Sequence, residues 1–203
     1  MKSNQKVRYL LAAALLAAAA TSLAVALART GSPTNAHPAA TTRGASALPP
    51  VGTSSTVLVA RFAILSGRHS NECGLRPQSV DSLAVDGRLQ GSCCTPMVRA
   101  HYVQQVRSLA GYRAVAQVPR DPYDIPVAQA KQLLAYHREI TLTAAQQAVY
   151  REAMRLAHEH GPCCCHCWRW SAFGDQARYL ISRRSYHARQ IATIWDLEDG
   201  CGG

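Results

Sequence analysis

The chain has 203 residues, 48% of them hydrophobic, and a formal net charge of +10. This length allows one domain with a real core. The basic residues are scattered, with Arg183-Arg184 the only tight pair, and no nucleic-acid-binding motif accompanies them, so we expect no nucleic acid partner. No Ser-His-Asp, P-loop or dinucleotide-binding pattern occurs either, which excludes the most recognisable classes of enzyme.

The first 28 residues show the pattern of an export signal. A basic start is followed by an uncharged run from Tyr9 to Ala28, which ends in the small-residue site Ala26-Leu27-Ala28. The run is also long enough for an uncleaved anchor. We therefore expect an exported protein, periplasmic or extracellular, which contacts the membrane surface through residues 9–28 if the leader is retained. Residues 29–56 are rich in Ala, Thr, Ser and Pro, which predicts a disordered linker.

The remaining residues, 57–203, have helical periodicity almost throughout, which predicts an all-α domain of about five helices. The apolar run 57–65 fits either a strand or a short helix. Thr95 as N-cap and Pro96 as first residue predict a helix that extends to Gly111. A turn at 121–126 separates this helix from the next.

Four more helices are predicted after the turn. The second helix of the domain runs from Pro126 to about Arg138. The third begins at a capping box, Thr143 to Gln146, and ends near His160, with Gly161 as C-cap. The last two cover about 172–184 and 187–197, each with an apolar stripe that faces the core. The residues that follow are predicted to form a flexible tail with one thiol.

Eight cysteines follow the linker, and six of them form two short clusters: Cys93-Cys94, and Cys163, Cys164, Cys165 and Cys167. An even number of cysteines outside the cytoplasm normally indicates disulfides. Here the domain is large enough to fold without them. Adjacent cysteines also rarely bond to each other, because the ring that they close is strained. The two clusters therefore need a chemical explanation.

Soft metal binding explains the clusters best. In an extended loop, Cys163, Cys165 and Cys167 can converge on one ion, and His166 offers a nitrogen. Clustered thiolates select soft ions, copper(I) first and zinc second. Cys93-Cys94 precede a predicted helix N-terminus, which favours thiolate. The candidate metal ligands are Cys93, Cys94, Cys163, Cys164, Cys165, Cys167 and His166.

The second cluster resembles a known motif. Pro162, Cys163, Cys165 and Cys167, after a helix, are similar to the motif of the PCYCGC-motif proteins, exported bacterial proteins that are often lipid-anchored. Cys164 stands in place of the family's Tyr and His166 in place of its Gly. No cysteine follows the hydrophobic leader, so a lipoprotein anchor is not expected. The resemblance implies an exported, thiol-rich bacterial protein that is presumed to bind metal.

Two alternatives remain open. One is a disulfide-stapled structural or interaction domain of the cell envelope, for which Cys73, Cys201 and one member of each cluster are the best candidates. The other is a thiol-disulfide oxidoreductase that acts through Cys93 or Cys94; an enzyme is the less favoured class. Covalent haem attachment is excluded, because no Cys-x-x-Cys-His occurs.

The metal hypothesis makes one geometric prediction. The helix after Thr95 begins beside the first cluster, and the helix from Thr143 ends beside the second. If the two helices pack antiparallel, both clusters lie at one end of the domain. Sulfurs that share an ion then lie within about 4 Å of one another, because metal–sulfur bonds are near 2.3 Å.

Overall fold

The computed structural model describes residues 47–202 and confirms the all-α fold class. The predicted leader, and the predicted linker as far as residue 46, lie outside these residues. Within them, seven α-helices, a short 3-10 helix and a two-stranded antiparallel sheet follow one another, against the five helices expected. The elements are α1 (Ser55–Leu65), α2 (Pro77–Ser82), β1 (Arg88–Gln90), α3 (Arg99–Leu109), the 3-10 helix (Ala110–Tyr112), β2 (Asp124–Pro126), α4 (Val127–Glu139), α5 (Ala144–Leu156), α6 (Trp168–Arg184) and α7 (Ala188–Glu198). None of the helices in this part of the chain is long and apolar enough to span a membrane.

The apolar run that fitted either a strand or a helix is a helix. Helix α1 begins at Ser55, because the Ser54 hydroxyl accepts a hydrogen bond from the Val57 amide and caps its first turn. The helix therefore starts two residues before the expected domain boundary. Just ahead of it, Leu48 and Val51 pack, partly buried, against α1 and α3. Residues 48–54, which composition assigned to the linker, thus include chain that touches the core.

Local capping signals set some boundaries correctly. The capping box at the start of α5 is present in both directions, with the Thr143 hydroxyl and the Gln146 side chain each bonded to the other residue's amide. Helix α4 begins at Val127, beside the predicted start. Helix α7 begins at Ala188, with His187 as its N-cap, one residue from the prediction.

The predicted start of α3 is wrong, and tertiary hydrogen bonds explain why. The helix begins at Arg99 rather than at Pro96. The Thr95 amide donates to the Cys201 carbonyl at 2.9 Å, and the Val98 amide donates to the Gly202 carbonyl at 2.8 Å. These bonds hold residues 95–98 in a non-helical conformation against the C-terminal segment. The Thr95 hydroxyl likewise donates to Cys201 instead of capping a helix.

The predicted end of α5 and start of α6 also shift. Helix α5 ends at Leu156 with Ala157 as C-cap, and the left-handed backbone conformation falls on His160 (φ 51°) rather than on Gly161. A β-carbon at Gly161 would overlap the Trp170 ring, so this glycine permits close packing and does not cap the helix. Helix α6 begins at Trp168, four residues earlier than expected, with Cys167 as N-cap.

The sheet was not predicted. Strand β2 lies where the sequence indicated a turn, and it pairs with β1 so that Leu89 faces Ile125, both buried. At each strand the run is only three residues long, which is too short for an alternating pattern to stand out.

The main core lies between two helix pairs, α4 with α6 and α5 with α7. Trp168, Phe173 and Trp195 are fully buried in it, and the Trp168 indole N–H donates to Asn71. A separate group of buried hydrophobic residues, which includes Leu58 and Tyr102, joins α1 to α3.

A buried ion-pair network joins α1 to Asp121 and to the first residue of β2. Arg61 is 1% exposed and donates to Asp121 at 2.9 and 3.0 Å and to Asp124 at 2.7 Å. The Tyr102 hydroxyl and the Tyr123 amide also donate to Asp121, each at 2.9 Å. The two aspartates, which the sequence suggested were simple turn residues, therefore hold the turn against α1.

Candidate metal centre

Four separate segments of backbone come together at the cysteines. The Cys73 amide donates to the Cys93 carbonyl at 3.2 Å, and the Cys93 amide donates to the Gly200 carbonyl at 2.9 Å. The Trp168 amide donates to the Leu75 carbonyl at 2.9 Å, which joins the start of α6 to the first segment. These bonds place chain from near residues 73, 93, 167 and 201 side by side.

The predicted proximity of the two clusters is confirmed. The Cys94 sulfur lies 3.5 Å from that of Cys164 and 3.8 Å from that of Cys165. The expected reason is wrong, however, because α3 packs mainly against α7 and α1, whereas α5 packs against α7 and α6. The clusters meet through the backbone bonds of the loops and the C-terminal segment instead of through an α3–α5 pair.

Cys201 lies at the centre of the sulfurs, although the sequence suggested a thiol on a flexible tail. It is 9% exposed, and its sulfur lies 2.7 Å from that of Cys164, 3.5 Å from that of Cys163 and 3.7 Å from that of Cys93. Cys73 also joins the group, 2.6 Å from Cys94 and 2.9 Å from Cys165. In the sequence these two cysteines stand outside both clusters. The one signal that they have partners was the even total of eight cysteines.

Seven sulfurs form four overlapping groups, in each of which all ligand atoms lie within 4.8 Å of one another. The first group has four members, and the other three have three each. The groups are Cys73, Cys93, Cys94 and Cys165; Cys93, Cys163 and Cys201; Cys94, Cys164 and Cys201; and Cys163, Cys164 and Cys165. Each can hold a metal ion. All eight cysteines are free thiols in the structure.

Two predicted ligands lie outside these groups. His166 is exposed, and its ring packs on Trp170 with the centroids 4.0 Å apart, while its carbonyl accepts from Arg76. Cys167 is 1% exposed in the core beside the cluster. Within residues 47–202, neither belongs to a group of three potential ligands. The structure thus brings together five of the seven predicted ligands, with Cys73 and Cys201 added.

The cluster has a buried side and an open side. Cys163 and Cys201 are buried, Cys73, Cys93 and Cys165 are half-buried, and Cys94 and Cys164 are exposed. The exposed sulfurs are therefore accessible from solvent, whereas the buried ones are shielded from water.

A buried arginine lies against the closed side. Arg169 is fully buried, and its guanidinium donates to the Pro122 carbonyl at 2.8 Å and to the Glu198 carbonyl. Its Nε has no hydrogen-bond partner, and among the described residues it forms no ion pair with a carboxylate. A buried cation without a carboxylate requires other negative charge nearby.

Cysteines and the Asp199 carboxyl are the sources of that charge. Burial alone would lower the pKa of Arg169, but the charges of Cys93, Cys163, Cys167 and Asp199 outweigh it and raise that pKa. Glu198 does not serve, because burial raises the pKa of its carboxyl to about 8 and leaves it protonated at neutral pH.

The thiols divide into two electrostatic classes. A hydrogen bond from Cys167 lowers the pKa of Cys163, and hydrogen bonds from Cys163 and Cys93 lower the pKa of Cys201. Burial raises the pKa of Cys94, Cys164 and Cys165, and hydrogen bonds with Cys163, Cys167 and Cys201 raise that of Cys93. The pKa is thus lowered at two buried sulfurs of the groups and raised at four of their neighbours.

The helix dipole acts on the second cluster rather than on the first. Because α3 begins only at Arg99, its N-terminus is several residues beyond Cys93-Cys94. The N-terminus of the 17-residue helix α6 instead follows Cys167 directly.

The chain was compared with protein-family models, curated proteins and solved structures, and none of them matches.

Proposed function

We propose that this protein binds soft metal ions, copper(I) first and zinc second, through its clustered thiolates. One observation carries the proposal: seven cysteine sulfurs from four distant segments converge at a single place. Thiolates are the ligands that soft ions prefer, and a folded domain of this size does not need so many thiols for stability.

The spacing of the sulfurs supports the proposal. Seven sulfur pairs are separated by 3.5 to 3.9 Å. Sulfurs around one tetrahedral ion lie about 3.8 Å apart for metal–sulfur bonds near 2.3 Å. Around a trigonal ion with the same bond length they lie about 4 Å apart. The groups of three sulfurs suit trigonal copper(I). The group of four sulfurs suits zinc, or copper(I) bound by some of the four.

The setting of the proposal is the cell envelope. The basic, then uncharged, leader supports export, and the motif around Pro162 supports a relation to the PCYCGC-motif proteins; both stay predictions. An exported protein with a half-open thiolate site is suited to store a soft ion or to deliver it to a partner.

The test uses the full chain, purified in reduced form without oxygen. Bound copper(I) and zinc are measured after exposure to each metal and removal of the excess. The control is a variant with Cys163, Cys164 and Cys165 all changed to Ser. We expect the native chain to retain metal that the variant loses. Equal, background binding by both would contradict the proposal.

A second candidate function is a disulfide-stapled domain, and two specific distances favour it. The sulfurs of Cys73 and Cys94 are 2.6 Å apart, and those of Cys164 and Cys201 are 2.7 Å apart. Both are closer than metal-bridged sulfurs, although longer than the bond length of about 2.05 Å. Each pair joins a lone cysteine to one member of a cluster.

Counting free thiols separates the two candidates. Metal-free native protein is alkylated without reductant and weighed by mass spectrometry. Metal binding predicts eight modified cysteines, the number in the chain. Disulfides at the two short pairs predict only four, because each bond removes two thiols.

A further inference from the structure

We infer that the cysteines hold several soft ions in one polynuclear cluster, with shared sulfurs as bridges, and that Arg169 compensates its negative charge. The inference rests on the proposed function and deepens it: a soft-metal protein can bind one ion, whereas this arrangement assigns at least two and as many as four. The ions expected are copper(I).

The sharing of sulfurs between groups carries the inference. Six cysteines each belong to two of the four groups: Cys93, Cys94, Cys163, Cys164, Cys165 and Cys201. A thiolate sulfur has more than one lone pair and can bind two soft ions at once. Four sites of three or four ligands would need thirteen separate sulfurs if none were shared, and this site supplies seven. Occupancy of more than one group therefore requires bridging sulfurs.

The connections between groups show that they form one unit. The four-membered group shares Cys93 with the second group and Cys94 with the third. The fourth group shares Cys163 with the second and Cys164 with the third. An ion in any group thus fixes sulfurs that belong to another. We expect the ions to enter cooperatively, because the first ion arranges the ligands of the next.

Arg169 accounts for the negative charge of such a cluster. Seven thiolates exceed the charge of up to four copper(I) ions, so a filled cluster is anionic. The fully buried guanidinium lies on the closed side, with no carboxylate partner among the described residues and with Nε unpaired. A single copper(I) with three thiolates would also be anionic, so the buried guanidinium supports thiolate ligation, and the number of ions is inferred from the shared sulfurs.

The cysteines differ in their assigned roles, which makes the inference specific. Cys201 belongs to two groups and is a bridging ligand. Cys73 belongs to one group and is a terminal ligand. Cys167 belongs to none and is a neighbour of the cluster in the core.

The experiment is an anaerobic titration of the reduced full chain with copper(I), followed by native mass spectrometry and X-ray absorption. We expect two to four ions per chain, with apo and filled protein dominating at intermediate additions, and a copper–copper scattering contribution. Binding of a single ion would overturn the polynuclear cluster and leave the proposed function intact. Absence of both bound copper and, in a parallel titration, bound zinc would overturn both.

Two single variants test the assigned roles, each compared at equal helical content by circular dichroism. Cys201→Ser should lower the copper number by at least two, because two groups lose a ligand. Cys73→Ser should lower it by at most one, because three ligands of its group remain. Equal losses from Cys201→Ser and Cys73→Ser would overturn the bridging assignment.

Discussion

Replacement of Arg61 by Met tests the buried ion-pair network that joins α1 to Asp121 and Asp124. The side chain is buried and bonded to Asp121 and Asp124. Removal of one partner from a buried ion pair typically costs about 3–5 kcal/mol. Asp124 keeps Arg88 at 2.5 Å and Gln90 at 2.9 Å, and Asp121 keeps its tyrosine donors. We therefore expect Arg61→Met to lower the free energy of unfolding by about 3 kcal/mol at pH 7, at the low end of that range.

The loss should shrink on acidification. Burial, the largest effect, raises the pKa of Asp121 even with Arg61 in place. Without Arg61 the pKa of Asp121 rises further, so ionisation of Asp121 lowers the free energy of unfolding of the variant. A group whose pKa is raised on folding contributes stability below its unfolded pKa and loses that contribution as the pH rises through the folded pKa. The deficit of Arg61→Met should accordingly be smaller at pH 5 than at pH 7.

Asp124 does not obscure this test. Burial alone would raise its pKa, but hydrogen bonds from Arg88, Gln90 and Arg61 outweigh burial and lower it. Its contribution is present above the unfolded pKa, near 4, and is lost only as the pH falls through the folded value. Both pH 5 and pH 7 lie above that window.

The assay is urea unfolding of metal-free, reduced protein, followed by far-ultraviolet circular dichroism at both pH values. The control variant is Arg155→Met, which removes an arginine from an exposed pair with Glu152 and should change stability little. A loss below about 1 kcal/mol for Arg61→Met, or a loss that grows at pH 5, would refute the reasoning, since a broken buried pair typically costs more.

Three further predictions concern Arg169, Gly200 and Asn71. Arg169→Met should weaken copper(I) binding at least tenfold, measured in competition with a chelator. Arg169→Lys should weaken binding less, because it keeps the positive charge. Equal effects of the two variants would indicate that Arg169 acts through packing alone. Gly200→Ala should reduce bound copper, because the new β-carbon would overlap the Arg169 guanidinium, whereas Gly74→Ala, with open space around it, should bind normally. Asn71→Ala should lower the free energy of unfolding by about 2 kcal/mol, measured in urea, because the buried Trp168 indole N–H loses its acceptor. An unchanged free energy would mean that a water molecule accepts the hydrogen bond in place of Asn71.

Local signals predicted the helices well, and distant contacts decided the rest. The capping box at Thr143 depends on neighbouring residues only, and it is present as the sequence indicated. Thr95 and Pro96 are an equally good local start signal, yet the helix begins at Arg99, because the Thr95 amide is bonded to Cys201. No local pattern around residue 95 reports on a carbonyl more than a hundred residues away.

The candidate site, too, could be predicted from local signals only in part. Cys93-Cys94 and Cys163 to Cys167 stood out by their density, and their meeting was predicted, although from the wrong helix pair. Cys73 and Cys201 carry no local signal, because each is a lone thiol among turn-forming residues. Arg169 lies between two tryptophans, and its adjacency to the thiols was visible in the sequence. Its complete burial follows only from the packing of α6 against the rest of the fold.

The position of Cys201 has a consequence for the order in which the centre is assembled. Cys201 is 108 residues from Cys93 in the chain, and the centre draws ligands from both. A chain that emerges from the ribosome or from an export channel with its N-terminus first presents Cys73, then the pair, then the second cluster, and Cys201 last. An ion captured early finds an incomplete set of ligands and exchanges readily. Once Cys201 docks beside Cys93, release must break the additional sulfur contacts, so slow metal exchange marks a chain whose folding is finished.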